Sequence, residues 1–224
     1  MTKKSLITLL PLLCLFYNTF LFTFAVEQPS LQTAPLKVLM VVAHDSKQSF
    51  TYSLYDAISE FLAPKNNLEL LNLDLYEHAH EIPFYTHDMQ QLEASSFFQK
   101  NKGLIMQADR LILFFPVYWY STPAILKAWI DLITHYAWQY KGGESAQPLH
   151  HITKVLSINS SNAKQPWYKF MVEHPVQRQI SNTFKFMGMK SVKNYMICDV
   201  YAITPKLYTS HLETIKNLTE QLLN

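Results

Sequence analysis

The chain has 224 residues, the length of one compact domain behind a short leader, and its formal charge of +2 comes from basic residues scattered along it, so the footprint of a nucleic-acid binder is missing. Its four glycines, Gly103, Gly142, Gly143 and Gly188, leave no GxGxxG and no GxxxxGK(S/T) run, which excludes the usual dinucleotide fingerprint and the P-loop NTPases. Cys14 and Cys198 are too few, and too far apart in kind, for a disulfide framework.

The first element is apolar. Lys3 and Lys4 precede an almost unbroken hydrophobic run from Leu6 to Phe24, and Thr23-Phe24-Ala25 offers small residues for a cut before Val26. At about 20 residues the run is also long enough to cross a bilayer uncut. Residues 1–25 therefore read as a signal peptide or membrane anchor, 26–35 as a linker carrying Pro29 and Pro35, and 36–224 as the domain. Either reading exports the domain, with membrane association through residues 5–25; a misassigned start would return it to the cytoplasm.

Leu36 to Ala43 is a continuous apolar, β-branched run, as expected of a strand buried on both faces of a parallel sheet. A helix is predicted over Ser49–Leu62, with Ser49 or Thr51 able to cap it and Pro64 ending it. Leu68–Leu73 is a second strand, followed by a polar, histidine-bearing stretch to Asp88. Met89–Ala108 reads as a helix, Arg110–Phe115 as a third strand, and Ser121–Tyr136 as a helix with Pro123 in its first turn. Ile152–Asn159 is a fourth strand, Trp167–Met187 a helix, Lys190–Cys198 a fifth strand and Leu207–Leu223 a closing amphipathic helix. Alternating strands and helices predict an α/β three-layer sandwich on a five-stranded parallel sheet, in the order 2-1-3-4-5. Ligands of such sheets sit beyond the carboxyl ends of the strands, where the winding reverses.

Three loops at that end carry chemistry. After strand one, His44-Asp45-Ser46-Lys47-Gln48-Ser49-Phe50-Thr51 joins a histidine, hydroxyls and the free amides of a helix start, a set that holds a phosphate without glycine. After strand three, Pro116-Val117-Tyr118-Trp119-Tyr120 places three aromatics in a row, and at least one of them must line a cleft or a partner surface. Such a wall, with loop amides beside it, suits an isoalloxazine ring. After strand four comes Asn159-Ser160-Ser161-Asn162-Ala163. His78, His80, His87 and Asp88 match no common metal spacing, so no metal site is expected. No GxSxG nucleophile elbow occurs.

The run FPVYWYSTPAILKAWIDLI from Phe115 resembles the signature of the flavodoxin-like NAD(P)H:quinone oxidoreductases, including the potassium-efflux ancillary quinone reductases. His44 with Ser49-Phe50-Thr51 is similar to that family's histidine-led phosphate loop, with Asp45 in place of its usual proline. The segment from Leu73, LDLYEHAHEIPFYTHD, looks like its "DLY" segment, while Ser160-Ser161-Asn162 stands where the family has Thr-Thr-Gly-Gly. The resemblance implies flavin-dependent NAD(P)H:quinone oxidoreduction by two hydride steps, with FMN as cofactor, FAD as the alternative, and a homodimer. It implies phosphate and ribityl contacts at His44, Ser49, Phe50 and Thr51, a ring loop of Pro116, Val117, Tyr118 and Trp119, and Ser160, Ser161 and Asn162 on the far edge. Tyr168 and His174 keep the spacing of a tyrosine and histidine that stabilise charge at the reduced flavin in animal members. Two other readings stay open: a flavin-bearing electron carrier or regulatory partner of a membrane protein, and a domain of this fold that has lost its cofactor.

Overall fold

The structure, a computed structural model, describes residues 34–139, 147–164 and 174–224. The leader, most of the linker and Tyr168 lie outside the described residues.

Strand β1 (Leu36–Val42) is an interior strand, one place from the sheet edge with β3 at the centre, and both of its faces are apolar. Leu39, Val41 and Ala43 belong to one core layer and Val38, Met40 and Val42 to the other, none more than 1% exposed. Full burial of each of the larger chains is worth about 1.5–3 kcal/mol, which fixes this strand between two layers. It pairs in parallel with β2 (Leu68–Asp74) on one side and β3 (Arg110–Pro116) on the other. Beyond β3 come β4 (Lys154–Ser160) and then β5 (Ser191–Ile197), also parallel. The order is therefore the expected 2-1-3-4-5.

Helices α1 (Phe50–Leu62) and α6 (Pro205–Leu223) cover one face through Leu54, Ile58, Ile215 and Leu222. The other face takes α3 (Ser96–Gln107), α4 (Ala124–Tyr136) and α5 (Pro175–Phe186) through Phe97, Ile105, Trp129 and Phe184. Within that layer Trp129 Nε1 donates to Asn101 Oδ1 at 2.8 Å, and Asn101 Nδ2 donates to the Phe97 carbonyl at 2.8 Å, so the buried amide is satisfied on both sides.

Several boundaries differ from the sequence expectation. The single helix expected over Met89–Ala108 is broken into α2 (Met89–Glu93) and α3, because the Ser95 hydroxyl accepts from the Phe98 amide and starts a new helix. Helix α4 begins at Ala124 with Pro123 at its N-cap position, because Ser121 is committed to a hairpin with Tyr118. Helix α6 starts two residues early, capped by Thr204. A two-residue antiparallel ribbon, Trp138–Gln139 with Gln147–Pro148, follows α4 and was not expected.

That ribbon leads into a buried joint. Helix α5 ends with Gly188 at φ 96°; the Met189 amide donates to the Phe184 carbonyl and the Gly188 amide to that of Lys185, the paired bonds of a Schellman cap. His150 packs beside it, accepting the Ile152 amide at Nδ1 (3.1 Å) and donating from Nε2 to the Met187 carbonyl (3.1 Å). Only the neutral imidazole satisfies both bonds. Burial accordingly lowers its pKa, outweighing the opposing effect of the Met187 carbonyl. The unfolded chain then binds the extra proton first as pH falls, so the stability contributed by His150 is complete above about pH 6.5 and is lost as pH drops through its lowered value. We expect urea midpoints to fall between pH 7 and pH 5, and His150→Gln to flatten part of that slope; an unchanged slope would contradict this account. His44 and His211 are lowered by burial as well and carry the remainder with the same sign.

Candidate functional site: a crevice at the carboxyl end of the sheet

The loop after β1 enters α1 through a side-chain cap. The Ser49 hydroxyl accepts from the Tyr52 amide at 3.2 Å, while the amides of Phe50 and Thr51, first in the helix, take no acceptor among the described residues. At the loop's other end His44 Nδ1 lies 3.0 Å from the Ser46 amide and 3.0 Å from Asp45 Oδ1. One ring nitrogen cannot accept from the first and donate to the second at once. Burial lowers the His44 pKa more than Asp45 raises it, which favours the neutral ring, and in the tautomer that accepts from Ser46 the proton lies on Nε2.

Beneath the loop, Lys47 pairs with Glu77 and lies 3.8 Å from Asp74, whose carboxylate also accepts from the Tyr52 hydroxyl. Burial and Asp74 together push the Tyr52 phenol well up, so it remains the donor.

The loop after β3 is a tight hairpin. Tyr118 and Ser121 exchange backbone hydrogen bonds of 3.0 and 2.9 Å across Trp119 and Tyr120, which stand at φ 49° and 63°. Two positive φ angles in a two-residue turn define the type that Asn-Gly normally fills; here two bulky aromatics occupy it under strain. All three aromatics of the sequence run reach solvent, Trp119 at 95%, Tyr120 at 46% and Tyr118 at 40%.

Ser160, the last residue of β4, draws these loops together. Its carbonyl accepts the Val117 amide at 2.7 Å and its hydroxyl lies 3.4 Å from that of Thr51, both side chains being buried. The loop after β5 joins from the other side: the Ser161 amide donates to the Ile197 carbonyl, and the Asp199 and Val200 amides donate to Ala163 and Ser161. Residues 159–163 hold this turn with no positive φ, so the missing glycines are not required by its backbone.

His44, Ser49, Phe50, Thr51, Pro116, Val117, Tyr118, Trp119, Ser160, Ser161 and Asn162 thus all lie in or beside the loops at the ends of β1, β3 and β4, where a sheet of this order leaves a crevice. His174 stands at the same end of the sheet, preceding Pro175 at φ 54°, and Tyr168 lies outside the described residues. Sequence reasoning passed over Tyr76, whose phenol, like that of Tyr118, is raised first by burial and then by Asp45. It also passed over the loop after β5. The "DLY" segment contained the signal for Tyr76; nothing in Cys198-Asp199-Val200 marks that loop.

Two buried polar atoms near the crevice have no hydrogen-bond partner among the described residues: Thr122 Oγ1, beside the aromatic hairpin, and Asn159 Oδ1, one residue before Ser160. Orphaned polar groups in a native fold call for a ligand or water. The unpaired amides of α1, the Thr122 hydroxyl and an imidazole N–H are donors, and Asn159 Oδ1 is an acceptor, a mixed set that fits a phosphate-bearing ring cofactor. A separate depression of about 420 Å³ is lined by Tyr85, Asp131, Thr134, His135, Trp138 and Gln139, none of which belongs to these loops.

Strain at the hairpin has a measurable consequence. A non-glycine residue in the left-handed region costs about 1–2 kcal/mol, and a side chain as exposed as Trp119 loses little packing when removed. Trp119→Gly should therefore stabilise the fold by about 0.5–1 kcal/mol after the added flexibility of the unfolded chain is counted. A lower urea midpoint for this variant would show that the indole holds the loop.

Comparison with known proteins agrees with this fold. A family profile described as flavodoxin-like fold matches residues 36–218. A protein of Haemophilus influenzae named "Uncharacterized NAD(P)H oxidoreductase" is 25% identical over 193 residues, covering 83% of this chain and 95% of its own. NAD(P)H dehydrogenase (quinone) 1 of Rattus norvegicus is 25% identical over 214 residues, covering 82% and 76%. Among solved structures, an FMN-dependent NADH-azoreductase of Bacillus anthracis in complex with FMN superposes with a TM-score of 0.67 at 15% identity, over 84% of this chain and all of that one, a likeness of fold. The chain belongs to the flavodoxin-like family in which the NAD(P)H:quinone oxidoreductases are found.

Proposed function

We propose that the domain holds FMN in the crevice around Ser160 and acts as an NAD(P)H-dependent oxidoreductase with a quinone as acceptor. The observation that carries this reading is the meeting of the loops after β1, β3 and β4 at one serine, within reach of unpaired helix amides. Its relatives support the same chemistry: those named above are named as an uncharacterized NAD(P)H oxidoreductase and an NAD(P)H dehydrogenase (quinone), and the structure of like fold is an FMN-dependent NADH-azoreductase.

In this reading His44 Nε2, the Ser46 and Ser49 hydroxyls and the Phe50 and Thr51 amides hold the phosphate. Residues 116–119 lie along the ring, and Ser160, Ser161 and Asn162 close its other edge. A flavin held there would supply reversible two-electron chemistry between NAD(P)H and the acceptor. The protein's own contribution is to bind, to orient and, through the loop amides, to stabilise negative charge on the ring.

The apolar run in residues 1–25 favours a second reading, a flavin-bearing electron carrier for a membrane partner, since an exported domain meets little NAD(P)H. One preparation separates the two. The oxidoreductase reading expects a yellow protein with one FMN per chain whose colour bleaches under NAD(P)H and which turns over a soluble quinone continuously. Bleaching once without turnover supports the carrier, and a colourless protein that takes up neither FMN nor FAD overturns both. Ser49→Ala should weaken FMN binding and lower stability by about 1 kcal/mol through loss of the helix cap.

A further inference from the structure

The residue that departs most sharply from a phosphate-binding loop is Asp45. Its carboxylate is 66% exposed and lies 3.0 Å from His44 Nδ1, inside the loop that ends in the unpaired α1 amides. The balance of charge there is unfavourable to an anion. Lys47 is the one cation among residues 44–51, and it is engaged by Glu77 and approached by Asp74 at 3.8 Å. His44 is neutral at pH 7. Asp45, Asp74 and Glu77 against Lys47 leave the neighbourhood with an excess of negative charge, and the other groups that feel Asp45, the Tyr76 and Tyr118 phenols, are uncharged. What remains for a phosphate is a set of neutral donors and the partial positive charge of a helix start.

We propose that Asp45 is a specificity-determining residue that limits the charge of the flavin tail this loop accepts, disfavouring a doubly ionised terminal phosphate relative to an uncharged tail. The inference rests on the flavin reading above and deepens it. An FMN phosphate carries between one and two negative charges near neutral pH, its second ionisation falling at about pH 6, whereas riboflavin carries none. The same isoalloxazine ring and ribityl chain are therefore compared with and without the charge that Asp45 opposes.

The test is equilibrium binding of FMN and of riboflavin to the full-length protein, read by quenching of flavin fluorescence, for the wild type and for Asp45→Asn. Asparagine keeps the shape and removes only the charge. FMN affinity should rise about threefold to tenfold, the size of a solvent-screened interaction between neighbouring charges, with riboflavin affinity unchanged. The gain should shrink as added salt shortens the screening length towards about 8 Å, which a purely structural effect would not do. Equal shifts for both flavins overturn the inference, as does a loss of FMN affinity, which would make Asp45 a positioning residue for His44. Failure of the wild type to bind either flavin overturns the flavin reading and the inference together.

Discussion

The crevice exists because β1 is hydrogen-bonded in parallel on both sides. Parallel neighbours cannot be joined by a tight turn, so the chain must cross over a face of the sheet to reach each next strand. From β1 it crosses through α1 to β2 on one side, and it returns to β3 on the other side through α2 and α3 on the opposite face. The loops leaving β1 and β3 therefore part in opposite directions, and a gap opens above the strand ends. The doubly apolar sequence of β1 dictates this, since a strand with one polar face could not sit between two helical layers.

What fills the gap is set by a second level of detail. Ser160 ends β4 with its hydroxyl against Thr51 and its carbonyl on Val117, so the phosphate-side loop and the aromatic hairpin are referenced to the same residue. A displacement of β4 would move both. The strained φ angles at Trp119 and Tyr120 belong to the same arrangement: the Tyr118–Ser121 hydrogen bonds hold the turn closed while Val117 anchors its base. Backbone strain of this kind persists where surrounding contacts over-determine it, and it gathers at binding sites.

Much of this was legible in the sequence, and for physical reasons. Residues 38–43 are apolar at every position, as a strand buried on both faces requires, and that set the sheet class. The aromatic run at 118–120 was too crowded to face a core, and its exposure follows. Other features were hidden by their chemistry. The break between α2 and α3 contains neither glycine nor proline; it depends on the Ser95 hydroxyl capturing the Phe98 amide, a local competition that helical periodicity does not register. The hairpin was hidden because Trp-Tyr is an unfavourable filling for a turn of its type. The loop after β5 contributes through backbone amides alone, which leave no trace in side-chain identity.

The central claim is that a flavin lies across the loops joined at Ser160. A crystal structure of the protein loaded with FMN tests it most directly. The account predicts the phosphate within hydrogen-bond distance of His44 and the Phe50 and Thr51 amides, and the ring along residues 116–119. A flavin found instead in the depression between Tyr85 and Trp138 would contradict it.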